Sequence, residues 1–458
     1  MAIGGKVCWL GSLPFLFVLA TPGYCANPAE TPVASAGKYI GPGGCAASSC
    51  HGSVVPKTTT RIFQNEYSIW ITQDRHAKAY SVLYNDVSKH MWEILNRDSE
   101  WVSKENPSHD KAPYEAKKCL DCHALYVPQD LQAQSFGKED GVSCESCHGP
   151  ASGWLGPHTV RDWPHEKSVQ LGMYDNRNLI KRSEKCLTCH LGTAEKYVDH
   201  EMLAAGHPDL TFELSYFTFY MPPHWKMPEP GADSWRRVQT WGVGQAVQLR
   251  ESLYRLVRRA ESPTWPEYAE LDCFACHHSL TMAKDSWRLT YGYGGRRPGN
   301  TRWNDARVVV FRDLVEEVHP DTARRLNDEM TQLALLMNKL NGNRAEIAAT
   351  AKRAAPLAGE LAIQLEAQPY DPALTLRLMR RIAGDNQAIA SQGERSAEQA
   401  AMALSDLYSA YTQNTKAMSP EVGTSIDVLI QTLQQNQSAY SAPQFSAQMQ
   451  KVSNALGH

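Results

Sequence analysis

The sequence predicts a mainly α-helical protein in two parts, a loop-rich part followed by an α-helical bundle. Three observations lead to this prediction. Five motifs built from cysteine and histidine are spread over residues 45–277, the composition changes near residue 303, and no alternating strand pattern stands out in the first half. We set the boundaries at 1–26 for an N-terminal signal, 27–303 for the loop-rich part and 304–458 for the bundle.

The first 26 residues have the pattern of a secretory signal peptide. Lys6 is followed by an apolar run from Val7 to Ala20, which is too short to span a bilayer, and then by small residues up to Ala26. A lipoprotein signal at Cys25 is a weaker alternative, because the usual preceding Leu is absent. No later run is long and apolar enough for a membrane helix. We therefore expect a periplasmic or otherwise exported chain with no transmembrane segment after cleavage.

Each of the five motifs combines two cysteines with a histidine that follows the second cysteine directly. They are formed by Cys45, Cys50 and His51; Cys119, Cys122 and His123; Cys144, Cys147 and His148; Cys186, Cys189 and His190; and Cys273, Cys276 and His277. The cysteines are separated by four residues in the first motif and by two in the others. Such motifs attach c-type haem, because the thiols add across the vinyl groups and the adjacent imidazole binds the iron. Structural zinc sites also use CxxC pairs but require no histidine after each pair. We predict five covalent haems.

The composition of residues 27–303 suits a haem-rich domain. It is rich in Pro, Gly and aromatic residues, and all twelve Trp and all twelve Cys of the chain lie at or before Trp303. Porphyrins would supply much of the core, so we expect short helical stretches and long loops, with aromatic side chains against the macrocycles. The net charge of -3 identifies no particular partner, and we expect no nucleic acid.

Residues 304–458 have helical spacing of apolar residues. The first two runs are Val308, Phe311, Leu314, Val315 and Val318, then Leu326, Met330, Leu333, Leu336 and Leu340. Helix start signals recur at Pro320, Asp371-Pro372, Ser396 and Ser419-Pro420, and Asn341-Gly342 is a stop signal. The pattern predicts five or six helices in a bundle that supplies no iron ligand.

Nine further histidines in the loop-rich part are candidates for the sixth coordination positions. They are His76, His90, His109, His158, His165, His200, His207, His224 and His278. Met202 and Met221 are alternative ligands. Two imidazoles on one iron favour a low potential, whereas a thioether raises it.

Several segments up to residue 190 resemble the cytochrome c-554 type of multihaem carrier. They are Tyr39 to His51, Tyr67 to Trp70, Arg75 to Ala79, Lys118 to His123, Gly141 to Pro150 with His158, and Glu184 to His190. The resemblance covers four haems and implies that His76 and His158 are distal ligands to haems other than those of their own motifs. It also implies that the haem at His123 lacks a distal ligand, as one haem of that family does. The first motif is longer than the family's, and the fifth lies beyond its four.

The segments from Asp199 to Pro208, Met221 to Trp225 and Trp265 to His278 resemble a group of exported multihaem proteins with a helical C-terminal region. For the distal positions that remain we rank His207 first, because Gly206 and Pro208 would hold it in a tight turn. His200 and His224 follow, then His278. We expect His90, His109 and His165 to be surface residues.

The leading functional hypothesis is electron transfer between redox partner proteins, possibly other cytochromes, through closely packed haems with two histidine ligands each. The alternative is an oxidoreductase acting on a small nitrogen or sulfur compound at a haem with an open sixth position. A third is an assembly role in which the bundle binds a partner. The oligomeric state does not follow from the sequence.

Overall fold

The computed structural model describes residues 37–226, 235–273, 276–277, 301–339, 341–435 and 440–457. The prediction of a mainly α-helical fold is confirmed. Across these residues the β pairings are two isolated bridges, Tyr39 with Gln132 and Leu271 with Trp303. The predicted signal peptide at 1–26 lies outside the described residues. No helix in the described ranges is long and apolar enough to cross a membrane.

Short helices joined by loops make up the described chain as far as residue 226. They are α1 (Glu66–Gln73), α2 (Asp86–Leu95), α3 (Ser99–Glu105), α4 (Lys117–His123), α5 (Cys144–His148), α6 (His165–Gln170), α7 (Leu179–His190), α8 (His200–Ala204) and α9 (Leu214–Tyr220). Side-chain caps fix the starts of α2, α3, α7, α8 and α9. At α3, for example, the carboxylate of Asp98 accepts the backbone N–H groups of Glu100 and Trp101. Only small apolar clusters lie between the first helices, such as Tyr80, Leu83 and Leu120. This part has the loop-rich organisation that the sequence predicted.

One long helix departs from that organisation. α10 (Arg236–Glu261) has 26 residues, whereas we expected only short helical stretches before residue 303. Two glycines lower its helix propensity, and both serve close packing instead. A Cβ on Gly244 would lie 2.6 Å from Cβ of Leu214, and one on Gly242 would lie 2.8 Å from Oη of Tyr370. The helix is buried because α7, α9 and several later helices pack around it.

The described chain after residue 304 forms eight helices, more than the five or six predicted. They are α11 (Ala306–Val318), α12 (Pro320–Met337), α13 (Arg344–Ala367), α14 (Pro372–Gly384), α15 (Asn386–Ser391), α16 (Glu394–Thr415), α17 (Pro420–Gln435) and α18 (Ala442–Ala455). Pro320, Pro372 and Pro420 each begin a helix, as predicted, while α16 begins two residues before Ser396. The six-residue α15 is too short to show a helical period in the sequence.

One large hydrophobic core crosses the change in composition near residue 303. It extends from Leu179 in α7 through Trp241 in α10 to Leu456 after α18. α13 packs along α10, and α16 packs against both α9 and α10. The described residues from 37 to 457 accordingly form one compact unit. The boundary at 303/304 therefore stays a prediction based on composition.

Candidate haem-binding sites

Three of the five motifs form the last turn of a helix. Cys119–His123 ends α4, Cys144–His148 makes up α5, and Cys186–His190 ends α7. Residues three apart lie on one face of a helix. The two thiols of each motif therefore face the same side, and the histidine follows at the helix end.

The longer first motif closes the same backbone bond as a short one. The N–H of His277 donates to the C=O of Cys273 at 2.7 Å, and the N–H of His51 donates to the C=O of Cys45 at 3.2 Å. The two extra residues form a tight turn around Ala47, whose C=O accepts two N–H groups. First cysteine and histidine are thus held together in both forms of the motif. All ten motif cysteines are free of disulfides.

Four of the motif histidines face a second histidine at a nearly constant separation. The ring centroids are 6.2 Å apart for His51 and His158, 6.2 Å for His76 and His190, 6.4 Å for His123 and His207, and 6.3 Å for His200 and His277. The angles between the ring planes are 6°, 88°, 87° and 27°, respectively. Ring stacking alone would not produce one separation at such different angles.

The separation fits two imidazoles on opposite sides of one metal atom. A nitrogen–metal bond is about 2.0 Å and the ring centroid lies about 1.15 Å behind the nitrogen, so two such rings have centroids about 6.3 Å apart. All four measured separations lie within 0.1 Å of this value. The residues therefore fit haem irons with two histidine ligands.

The remaining motif histidine, His148, lies within electrostatic range of His224. Burial lowers the pKa of His148 to about 4, and the next contribution is the charge of His224, ahead of those of His51 and His165. His165 is already paired, with its Nε2 2.9 Å from Oδ1 of Asp175. His224 therefore stays a candidate for the second ligand at His148.

Two candidate ligands are hydrogen-bonded to carboxylates through Nδ1, which leaves Nε2 of each ring available to a metal. Nδ1 of His51 lies 2.9 Å from Oε2 of Glu66, and Nδ1 of His76 lies 3.0 Å from Oδ1 of Asp74. The hydrogen bond to Asp74 raises the pKa of His76, which reflects how far the carboxylate favours positive charge at the ring. Such partners fix a ligand's tautomer and strengthen its donation. Sequence reasoning missed both, although Asp74 stands only two residues before His76.

Backbone carbonyls take the same role at other rings. Nδ1 of His123 lies 2.9 Å from the C=O of Ala79, and Nδ1 of His207 lies 2.8 Å from that of Pro208. Nδ1 of His158 lies 2.6 Å from the C=O of Leu155. Both rings of the pair His123–His207 therefore have a neutral carbonyl as their hydrogen-bond partner. In the pair His76–His190, by contrast, His76 has the buried carboxylate of Asp74 as its partner.

The segment from α8 to Pro208 places two of the paired histidines. The side chain of Asp199 caps α8, which begins at His200. Gly206 has φ of 106° and lets the N–H of His207 bond to the C=O of Met202 at 3.0 Å. Such a left-handed residue just past a helix is usually glycine. The structure thus has a tight turn at Gly206, and the role of His207 as a ligand stays a prediction.

Contacts between motifs set an order of neighbouring sites. The thiols of Cys45 and Cys144 are near enough for each to shift the pKa of the other, and the same holds for Cys122 and Cys189. The charge of Cys147 raises the pKa of Cys186 after the larger effect of burial, which makes these two motifs neighbours as well. A buried ion pair of 2.9 Å joins Lys118, next to Cys119, to Asp199, next to His200. The sites therefore follow one another in the order His51, His148, His190, His123 and His277.

The other histidines differ in their surroundings. His90 and His109 are exposed, as expected, but the side chain of His165 is only 16% exposed because it pairs with Asp175. His278 lies outside the described residues. Within the described part of the chain no three His, Cys, Asp or Glu side chains converge as a metal cluster. A structural zinc site would need four such ligands.

Comparison with known proteins bears on the same region. The family model for cytochrome c554 and c-prime matches residues 45–149, which include the motifs ending at His51, His123 and His148. This segment belongs to the cytochrome c-554 type family. Membership implies covalently bound haem c and electron transfer by a c-type cytochrome. The cytochrome c-554 match ends before the motifs at Cys186 and Cys273. No curated protein and no solved structure matches the chain.

Proposed function

We propose that the protein is an exported electron carrier with five covalent haems, each bound by two histidines. The observation that carries the proposal is the constant 6.2–6.4 Å separation of four histidine pairs at four different ring angles. The proximal ligands are His51, His123, His148, His190 and His277, and their distal partners are, in the same order, His158, His207, His224, His76 and His200. The ten motif cysteines hold the macrocycles covalently.

The protein's own part in the reaction is to hold the five sites in one series. Haem c supplies the one-electron redox chemistry when bound. Neighbouring cysteines, which shift one another's pKa, connect the His51 site to the His148 site, the His148 site to the His190 site and the His190 site to the His123 site. The ion pair between Lys118 and Asp199 joins the His123 site to the His277 site. An electron entering at one end can thus reach the other by short transfers between neighbours.

The pair His123–His207 favours a carrier over an enzyme. The family resemblance implies an open position at the haem of His123, and an open position is what a small substrate would need. His207 lies across from His123 at 6.4 Å, and its ring is held by the C=O of Pro208. A filled sixth position leaves no room for substrate to bind iron.

Export is supported by the N-terminal sequence and by the chemistry of attachment. The charged and apolar pattern of residues 1–26 is that of a cleaved signal. Covalent attachment of haem to such motifs takes place outside the cytoplasmic membrane. The partners are then other exported redox proteins, cytochromes among them.

Mass spectrometry and electron paramagnetic resonance together test the proposal. The intact mass after denaturation should exceed the mass of the polypeptide by that of five haems. The oxidised protein should be entirely low-spin, and the reduced protein should bind no CO. The His207→Ala variant should keep five haems but gain one high-spin iron that binds CO. The exposed His90→Ala variant is the control and should match the wild type. A high-spin, CO-binding iron in the wild type would favour the enzyme instead.

A further inference from the structure

The first haem motif and the loop after it lie at the surface of the protein. In the turn between the two cysteines of the motif, Ala47 and Ser48 are exposed. The loop that follows His51 carries Val54 and Val55, which are 89% and 66% exposed. These are the two highest values among the large apolar side chains that the structure describes as exposed. Apolar side chains left open to water beside a functional group mark a candidate contact surface.

The loop that carries the two valines is closed at its base by hydrogen bonds. The N–H of Ser53 donates to the C=O of Gln64, and the N–H of Lys57 donates to the C=O of Phe63, each at 2.7 Å. The hydroxyl of Ser53 also donates to the C=O of Val55 at 2.7 Å. The valines therefore belong to a defined loop, whose own hydrogen bonds keep them at the surface.

The charged side chains around this loop are cations. Residues 37–65 contain Lys38, Lys57 and Arg61 but neither Asp nor Glu. None of the three forms an ion pair with a residue that the structure describes. Nζ of Lys57 donates to the C=O of Ser48 at 3.4 Å, which keeps its charge beside the motif. The loop thus has an apolar centre with unpaired positive charge around it.

The segment that carries His158 continues this surface on the other side of the first site. The N–H of Lys38 donates to Oγ of Ser152 at 2.7 Å, which brings Lys38 next to that segment. Arg161 and Asp162, at the end of the segment, are both exposed and lie 3.8 Å apart. Because they have opposite charges, they leave the net charge of the surface positive.

Two carboxylates of this region point inward. Glu66 places Oε2 2.9 Å from Nδ1 of His51. Glu145 is 2% exposed and accepts the backbone N–H groups of Ile40 and Gly41. These carboxylates stabilise the site from within, so they do not offset the exposed cations toward an approaching molecule.

We propose that the surface formed by Lys38 and residues 46–62 docks an exported one-electron carrier whose own redox centre is surrounded by carboxylates. This inference rests on the proposed function, because it requires a haem at His51. His51 stands at one end of the order of sites, so a carrier docked here exchanges electrons with the series through its first member. Contacts between electron-transfer proteins are small, and opposite charges speed their formation. An acidic partner follows from charge complementarity, since the exposed cations are unpaired.

Reduction by flavodoxin hydroquinone tests the docking surface in the haem-loaded protein. Flavodoxin is a small acidic carrier, and each hydroquinone gives one electron to a ferric haem and becomes a semiquinone. Lys57→Glu/Arg61→Glu should lower the second-order rate constant about tenfold or more at roughly 0.01 M salt and less than about twofold at roughly 1 M salt. Val54→Ser/Val55→Ser should lower the rate constant at both salt concentrations, because it removes apolar contact and no charge.

A charge reversal far from the loop is the matched control. Arg324→Glu/Arg325→Glu, on α12, makes the same change in net charge at positions that are 72% and 60% exposed. It should leave the rate constant with flavodoxin within about twofold of the wild type. Lumiflavin semiquinone, which is small and uncharged, should reduce every variant at the wild-type rate, and this equality shows that the haems are intact.

Three outcomes separate the alternatives. The docking surface is refuted if Lys57→Glu/Arg61→Glu slows reduction by flavodoxin no more than the control does. A wild-type dimer that Val54→Ser/Val55→Ser splits into monomers in sedimentation would overturn it in favour of a second copy of the chain. Uptake of fewer than five electrons by each wild-type chain would instead refute the proposed function.

Discussion

Removing the charge of Asp74 should raise the potential of one central haem. Oδ1 of Asp74 accepts two hydrogen bonds from His76, one from the backbone N–H and one from Nδ1–H, each at 3.0 Å. Because one oxygen accepts both, the Asp74→Asn variant can keep both bonds and lose only the negative charge. The side chain of Asp74 is 6% exposed, so solvent screens that charge weakly. The carboxylate favours the ferric iron, which carries one more positive charge than the ferrous iron.

The size of the shift follows from distance. The oxygen is 3.0 Å from Nδ1 of His76. A metal on the opposite nitrogen is about 4 Å beyond, so the charges are roughly 7 Å apart. At an effective dielectric constant of about 20 two unit charges at this distance interact by about 2.4 kcal/mol. For one electron this is about 100 mV. We expect the potential of the His76–His190 haem to rise by roughly that amount.

A spectroelectrochemical titration at fixed pH and ionic strength would measure the shift in potential that Asp74→Asn causes. Asp98→Asn is the matched control, because Asp98 also caps a helix with one oxygen that accepts two N–H groups but touches no histidine. The Asp74→Asn variant must stay low-spin, because a low-spin spectrum shows that His76 has remained in place. The electrostatic reasoning is refuted if no potential rises while the spectrum stays low-spin, or if the control shifts as much.

Three further predictions follow from ring geometry, burial and charge. The oxidised protein should give two classes of low-spin electron paramagnetic resonance signal. The reason is that the ring planes are nearly perpendicular in two histidine pairs, at 87–88°, and closer to parallel in the other two, at 6° and 27°. A single uniform class would contradict the paired geometry. Leu253→Ala, fully buried on α10, should cost about 2–5 kcal/mol of unfolding free energy, and Leu335→Ala, 57% exposed, should cost under about 0.5 kcal/mol. Equal losses of thermal stability would show that α10 is not part of the common core. Burial raises the pKa of Asp313 from 3.8 to about 6, so the folded state binds its proton more tightly than the unfolded state. As the pH rises from 4 to 6, wild-type stability should then fall by about 2 kcal/mol more than that of Asp313→Asn, and parallel pH profiles would rule this out.

The sequence predicted the proximal side of each candidate site more readily than the distal side. A motif such as Cys119–His123 is local, because the chemistry needs two thiols and an imidazole within one helical turn. A pair such as His51 and His158 depends on how the 106 residues between them fold. Only the family resemblance indicated His158 and His76, and their roles as ligands stay predictions. Glu66 and Asp74 were missed because an isolated carboxylate near a histidine is common in any sequence.

Helix prediction failed where packing, and not propensity, decides. Gly242 and Gly244 argue against a long helix on propensity alone, yet both permit close approach of neighbouring segments to α10. The composition change near residue 303 is real, but the apolar faces of α10 and α13 pack against each other across it. The composition of a segment reflects how many aromatic and cysteine side chains that segment needs. It does not indicate which helices pack into the same hydrophobic core.

The segment around His200 and His207, which lies beyond the family match, bears most directly on function. The cytochrome c-554 match ends at residue 149, and the open position that the resemblance implies is at His123. His207 faces that histidine, while His200, seven residues earlier on the same segment, faces His277 of the fifth motif. One stretch of chain thus presents a ring to each of two neighbouring sites. Since Asp199 also ties this stretch to Lys118 beside Cys119, the proposed fifth site and the proposed ligand opposite His123 depend on the same local fold. If His207 and His200 are the ligands that we propose, this one segment closes the position opposite His123 and extends the series to the fifth site, as transfer of electrons requires.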